Sequence, residues 1–217
     1  MTNAAAHDVT HHVPEPMLAD YAAGRLGYSF SVAVAAHVSL CDECRARLAA
    51  HEAAGGAVLE TLPPAPVSGD LMARVMARLD DPAAAPPAPP APSGIFPGAV
   101  MAALKGQPPR WRKLGMGIRQ SILHAGGDGS LRLLYIPPGR AVPDHGHGGQ
   151  ELTLVLQGAF HDETGRFGVG DIEVADESLE HTPIAEEGEP CICLAATDAP
   201  LRFSSLIPRV LQPIFRI

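Results

Sequence analysis

No apolar stretch of this 217-residue chain approaches the ~20 residues that a membrane-spanning helix requires. The opening MTNAAAHDVTHHVPEP lacks both the basic start and the apolar core of a secretory signal. Cysteine is also scarce: four residues, arranged as Cys41-x2-Cys44 and Cys191-x-Cys193, too few and too local for a disulfide framework. These absences lead us to expect a cytoplasmic protein with reduced thiols. Positive charge is short as well. The net charge is −8 and the isoelectric point near 5.6, which argues against nucleic acid or an anionic membrane as the main partner. Residues 1–80 carry five arginines (Arg25, Arg45, Arg47, Arg74, Arg78) against nine carboxylates. An acidic module of this kind suits a basic protein partner.

What is present divides into three. Residues 14 to 80 are alanine-rich with helical apolar spacing. Met17, Leu18, Tyr21, Ala22 and Leu26 form one stripe, and Pro14 and Pro16 fit a helix start. Phe30 to Val38 reads as a second helix, and Cys41 to about Leu62 as a third with a possible break at Gly55-Gly56. Leu71, Val75 and Leu79, beside Met72 and Met76, make a fourth amphipathic helix. The ordinary role of such leucines and methionines is bundle core. Three small helices and a metal already make a domain, however, so the apolar face of the fourth is free for a partner. From Asp81 to Pro97, DPAAAPPAPPAPSGIFP, proline excludes regular structure and favours an extended, semi-rigid spacer at ~3.1 Å per residue.

Beyond the spacer, short strands are separated by turns: Trp111–Leu123, Leu131–Ile136, Leu152–Phe160, Asp171–Ala175, Cys191–Ala196 and Leu201–Leu206. This pattern without helices predicts an antiparallel barrel or sandwich. The expected fold class is α+β in two domains: a small all-α metal-binding bundle over residues 1–80, a Pro/Ala-rich linker over 81–98, and an antiparallel β-barrel over 99–217. Cys191 and Cys193 point to one face of their strand and read best as small buried hydrophobes. Glu173 and Asp144 are candidates to support a nearby metal. The tail SSLIPRVLQPIFRI is expected to pack on the barrel.

Two clusters carry metal chemistry. In GRAVPDHGHGGQELTLVLQG, His145 and His147 stand two apart, so on an extended segment they share a face. Glu151 follows at the start of a buried strand, and two imidazoles with a carboxylate make a transition-metal donor set. In the helical part, His37 falls in the last turn of the second helix, and Cys41 and Cys44 in the first turn of the third. Cysteines three apart on a helix share a face, and the helix N-terminus stabilises thiolates. A redox CxxC would want a strand before it, whereas the preceding residues here are helical. A tetrahedral site needs a fourth ligand. His11 and His12 precede the first helix, and His12 is preferred because it adjoins Val13 at the helix start.

The order Gly139-x5-His145-x-His147-x3-Glu151-x6-Gly158 resembles the first conserved motif of the cupin family. That resemblance implies a further histidine ligand from a paired strand, matched by His181 in ADESLEHTP. The second cupin motif departs at Asp176, Ser178 and Ala185, which puts the turn before His181 in question. His37-x3-Cys41-x2-Cys44 with an upstream histidine resembles the zinc-binding anti-sigma family. Joined to a cupin, and with DYAAGRL, HVSLCDECRAR, RLLYIPPGRAVPDHGH and CICLAATDAPLRF, the chain resembles ChrR-type anti-sigma factors. The resemblance implies zinc in the helical domain and a second divalent metal, zinc by preference over iron, manganese or nickel, in the cupin. It also implies that the chain is no enzyme. It would bind an extracytoplasmic-function sigma factor and release it under oxidative stress such as singlet oxygen or peroxides. The alternative is a metal-dependent cupin dioxygenase. A DNA-binding repressor is disfavoured by the acidic charge and the missing basic recognition helix.

Overall fold

A computed structural model of the chain describes residues 8–81, 88, 90–127, 129–143, 145–199 and 201–203. The N-terminal helices are α1 (Glu15–Ala22), α2 (Tyr28–Leu40), α3 (Asp42–Glu60) and α4 (Leu71–Met76). Pro14 stands at the N-cap of α1, where a missing N–H costs nothing. Its carbonyl accepts from Met17 and Leu18 at 3.0 Å. The Cys41 side chain caps α3 by accepting from the Cys44 amide. Helix α3 runs through Gly55-Gly56 without a break. Two glycines cost about 1 kcal/mol each relative to alanine, not enough to stop a run rich in alanine and leucine. Beyond His51 the helix is exposed all round, and α4 buries no residue at all.

A fifth helix, α5 (Gly98–Ala103), follows Pro97, in a region where the sequence suggested only spacer and strands. Its buried Val100 joins the core. A six-residue, alanine-rich turn has too little periodicity to be told from a linker.

The C-terminal strands are β1 (Arg112–Gly115), β2 (Ile118–Gly126), β3 (Gly129–Ile136), β4 (His145–His147), β5 (Glu151–Gln157), β6 (Phe160–His161), β7 (Arg166–Phe167), β8 (Ile172–Ala175), β9 (Glu180–His181), β10 (Ile184–Ala185), β11 (Cys191–Thr197) and β12 (Leu201–Phe203). They form a six-stranded sheet in the order β1-β2-β3-β11-β5-β8 and two three-stranded sheets, β10-β6-β7 and β12-β4-β9. Every pairing is antiparallel. The single strand expected over Trp111–Leu123 is instead the hairpin β1–β2, turned at Met116 and Gly117, both at positive φ, as a tight hairpin requires. The strand expected over Leu152–Phe160 breaks at Gly158. There φ is 68° and a Cβ would sit 2.8 Å from the Pro190 carbonyl oxygen, so only glycine fits. Asp144 and the tail after Phe203 lie outside the described residues.

Period-two alternation sorts the main sheet into two buried faces. Leu131, Leu133, Leu152, Leu154, Ile172 and Leu194 on one face share a single apolar core with Val13, Leu18, Phe30, Ala33, Val34 and Leu48 of the helical part. The other face holds Ile118, Ile136, Val155, Phe160, Phe167, Cys191 and Cys193 in a second cluster. The two cysteines are thus buried in this cluster, hydrogen-bonded to each other, with the Glu151 and Glu173 carboxylates near Cys193. Helix α2 lies directly on β3, β5 and β11, so the two parts joined by the spacer are in contact. No helix among the described residues is long and apolar enough to cross a membrane.

Candidate metal centres

The turn from α2 to α3 brings His37, Cys41 and Cys44 together. An extended arm, residues 8–13, delivers His12 to the same place. One donor atom from each of the four lies within 4.8 Å of all the others. His12 Nδ1 is 3.3 Å from Cys41 Sγ and 3.7 Å from Cys44 Sγ, while its Nε2 faces a Glu43 carboxylate oxygen at 3.3 Å. His11 points elsewhere, its ring lying 4.4 Å from that of Phe167.

His37 is fully buried. Burial holds its pKa down to about 4, so near neutral pH the ring is uncharged and carries one N–H. Nδ1 donates to the Gly170 carbonyl at 2.9 Å, leaving Nε2 as a buried nitrogen with no hydrogen-bond partner. An orphaned lone pair beside two sulfurs is costly unless something electrophilic meets it. Burial also pushes the Cys44 thiol up to about 11, with Cys41 adding to the effect. Two thiolates side by side need a cation between them. Two imidazoles and two thiolates, oriented from behind by a carbonyl and a carboxylate, fit tetrahedral zinc. The residue before Cys41 ends a helix and not a strand, so the frame of a redox CxxC is missing.

In the sheet part, β4 carries His145 and His147 between β9 and β12, with His145 directly opposite His181. The side chains of His145 and His147 lie outside the described residues. Glu151 opens β5, is buried, and accepts from Thr153 Oγ1 at 2.9 Å. The turn before His181, where the cupin pattern fails, is closed by Asp176 in another way. Its carboxylate accepts from the Ser178 amide at 2.8 Å and its carbonyl from Leu179 at 3.1 Å.

His181 is gripped by two carboxylates. Nδ1 lies 2.6 Å from Asp162 Oδ2 and 3.2 Å from Glu173 Oε1, and the three form a second group able to hold a cation. Burial pushes the Glu173 carboxyl up to about 7. Burial also raises Asp162, but hydrogen bonds from Glu173, Thr164 and His181 outweigh it and hold the group well below the usual carboxylate range. For His181 burial works downward, and the two carboxylates overcome it, lifting the ring to about 9. Glu173 was expected near a metal and sits against His181. Asp162 was missed, although HDETG bears the signature of an Asx turn. Its carboxylate accepts from the Thr164 amide at 2.8 Å and the Gly165 amide at 3.2 Å.

A helical module with a largely buried His2Cys2 cluster, packed on an antiparallel cupin-like sheet, defines a two-part architecture with a candidate metal site. Residues 101–199 match the family profile described as the ChrR Cupin-like domain. The chain is 55% identical, over 96% of its length and 99% of the relative's, to the anti-sigma-E factor ChrR of Cereibacter sphaeroides. It is also similar to the crystal structure of Rhodobacter sphaeroides SigE in complex with the anti-sigma ChrR, with 54% identity and a TM-score of 0.77. That match covers 88% of this chain and 99% of the matched one. The chain belongs to the ChrR family of anti-sigma factors.

Proposed function

We propose that this chain is a cytoplasmic anti-sigma factor. It captures an extracytoplasmic-function sigma factor through its helices and releases it under oxidative stress. The observation that carries the reading is the surface of the helical part. Val58, Leu59, Leu62, Val67, Met72, Val75, Met76 and Leu79 are all exposed, running from the free end of α3 through α4. A run of exposed large apolar residues of this length marks a protein-binding face. The complex of the similar ChrR with SigE supports the identity of the partner, and the ChrR family is regulatory, not enzymatic.

In this reading residues 1–80 are the binding module, 81–98 the spacer and 99–217 the sensing barrel. Zinc held by His12, His37, Cys41 and Cys44 supplies folding energy to a module with a thin core of its own. His145, His147, Glu151 and His181 hold a second divalent ion, zinc, in the barrel, with Asp162 and Glu173 orienting His181 from behind. Oxidant acts at the barrel, and the change reaches the helices through the shared core.

The test is co-expression with a sigma factor of this class. Wild type should copurify with it in equal amounts and release it on oxidant. Replacing His145, His147 and Glu151 by alanine should leave capture intact and abolish release. Release unchanged in that variant would place the sensor elsewhere, and no capture by wild type would end the reading.

A further inference from the structure

We propose that the turn Gly168–Asp171, in the sheet part, is a positioning element for the metal centre carried by the helices. The inference rests on the zinc reading of the His12–His37–Cys41–Cys44 cluster. Two of those four ligands are aimed by groups that lie about 130 to 160 residues away in sequence.

The Asp171 side chain is fully buried. Its Oδ1 accepts from the backbone amides of Thr10 at 2.7 Å and His11 at 2.9 Å. Its Oδ2 accepts from the Gly168 amide at 2.8 Å. One carboxylate therefore ties the N-terminal arm to its own turn. The arm also meets the start of β8, the edge of the main sheet, where the Ile172 amide donates to the His11 carbonyl at 3.3 Å. The next residue along the arm is His12.

The same turn reaches His37 through the Gly170 carbonyl, which takes the Nδ1 proton and so presents Nε2 as the ligand. Gly170 has φ +91°, and a Cβ there would lie 2.7 Å from Val9 Cγ2 and 3.9 Å from Leu40 Cβ. The arm and the end of α2 thus close on bare backbone. The turn is itself fixed to β5, with Val155 donating to the Asp171 carbonyl at 3.0 Å and Gly170 donating to Val155 at 2.9 Å.

The turn also joins the two candidate centres. Glu173, two residues beyond Asp171, touches His181. A contiguous path of hydrogen bonds and one short strand runs from His181 to His37 and to the arm that carries His12. Such coupling is reciprocal: metal at the helical cluster must stiffen the turn as the turn orders the cluster.

The test loads the full chain with Co²⁺, whose thiolate charge-transfer and tetrahedral d–d bands report the cysteine site. In wild type these bands should appear, and Cys41→Ala should remove them. Absence of cysteine-dependent bands in wild type would refute the zinc reading itself. With them present, Asp171→Asn, which keeps the size but turns an acceptor into a donor, should alter the bands. It should also lower metal affinity about 10- to 100-fold. An unchanged spectrum and affinity in Asp171→Asn would overturn the positioning role. A second measurement needs no change to the turn: hydrogen exchange of wild type with and without metal. Amides of 168–172 should be protected by metal in wild type and lose that response in Cys41→Ala. Exchange of this segment indifferent to the cluster's metal would overturn the proposal equally.

Discussion

Replacing Cys44 with serine removes one of two sulfur donors from the helical cluster while changing almost nothing in volume. Zinc at a structural site contributes on the order of 10 kcal/mol or more to folding, and a whole domain is stable by only about 5–15 kcal/mol. Loss of the metal is therefore comparable to the entire margin of the helical part. The loss should fall unevenly. Helix α2 is held from one side by β3, β5 and β11, with Ala33, Val34 and Ala36 fully buried there. Helices α1 and α3 pack chiefly on each other and on α2 rather than on the strands. They meet each other through Met17, Leu18 and Leu48 and through Glu15, which bonds Arg47 and His51 at 2.8 and 2.7 Å. Exposed ion pairs of that kind contribute little. The expected outcome is that α1 and α3, 8 and 19 residues long, lose order while the 13 residues of α2 keep theirs. About half of the helical circular dichroism should disappear. Amides near Leu48 should exchange freely, those of Val34 to His37 should remain protected, and sigma capture should vanish. Retention of zinc, or of both α3 protection and capture in metal-free Cys44→Ser, would refute the reasoning.

Four further outcomes follow from the same structure. Leu194→Ala, at a fully buried site facing the helices, should cost about 2–5 kcal/mol and lower the melting temperature by roughly 5–15 °C; a shift under about 2 °C would deny the shared core. Met72→Glu with Met76→Glu should leave the melting temperature within the ~0.5 kcal/mol expected of surface changes, yet weaken sigma binding by at least about 2 kcal/mol in a titration. Glu173→Gln should lower the zinc affinity of the barrel about 10- to 100-fold, measured by competition with a chelator. Finally, because burial keeps the Cys44 thiol protonated up to about 11 without metal, zinc uptake at pH 7 should release at least that proton into unbuffered solution. Zinc affinity should then fall as the pH falls, since protons compete for the sulfur.

Local chemistry made much of this legible. Pro14 marked the start of α1, and the spacing of His37, Cys41 and Cys44 across a helix–helix turn placed three donors of the first cluster. The Gly139 to Gly158 motif gave the order of β4 and β5, and the pairing of His145 with His181 follows the expected strand neighbourhood. The misses have physical causes. The Met116-Gly117 turn interrupts an otherwise continuous strand pattern, and α5 is shorter than two helical turns. The seating of α2 on the sheet left no periodic mark, because alanine-rich faces look alike whether they meet a helix or a strand. Asp171 read only as the first residue of an expected strand, since its partners, the Thr10 and His11 amides, are backbone groups that no residue type announces.

Three carboxylates, Asp162, Asp171 and Glu173, are concentrated around the short strands β7 and β8. A carboxylate withdrawn from water is costly unless donors meet it, and each of these meets donors, Asp162 and Glu173 sharing His181 and Thr164. Asp162 takes its own turn and His181, Glu173 takes His181 and the Thr164 hydroxyl, and Asp171 takes the N-terminal arm. Apolar residues at these positions would have packed the same strands with less desolvation, so burial alone does not account for the acids. Their common consequence is a continuous set of contacts from the barrel's histidine through the β7–β8 turn to the His12–His37–Cys41–Cys44 cluster. The proposed function, sensing in one part and binding in the other, needs such a connection, and these three side chains on the segment from Asp162 to Glu173 supply the contacts for one.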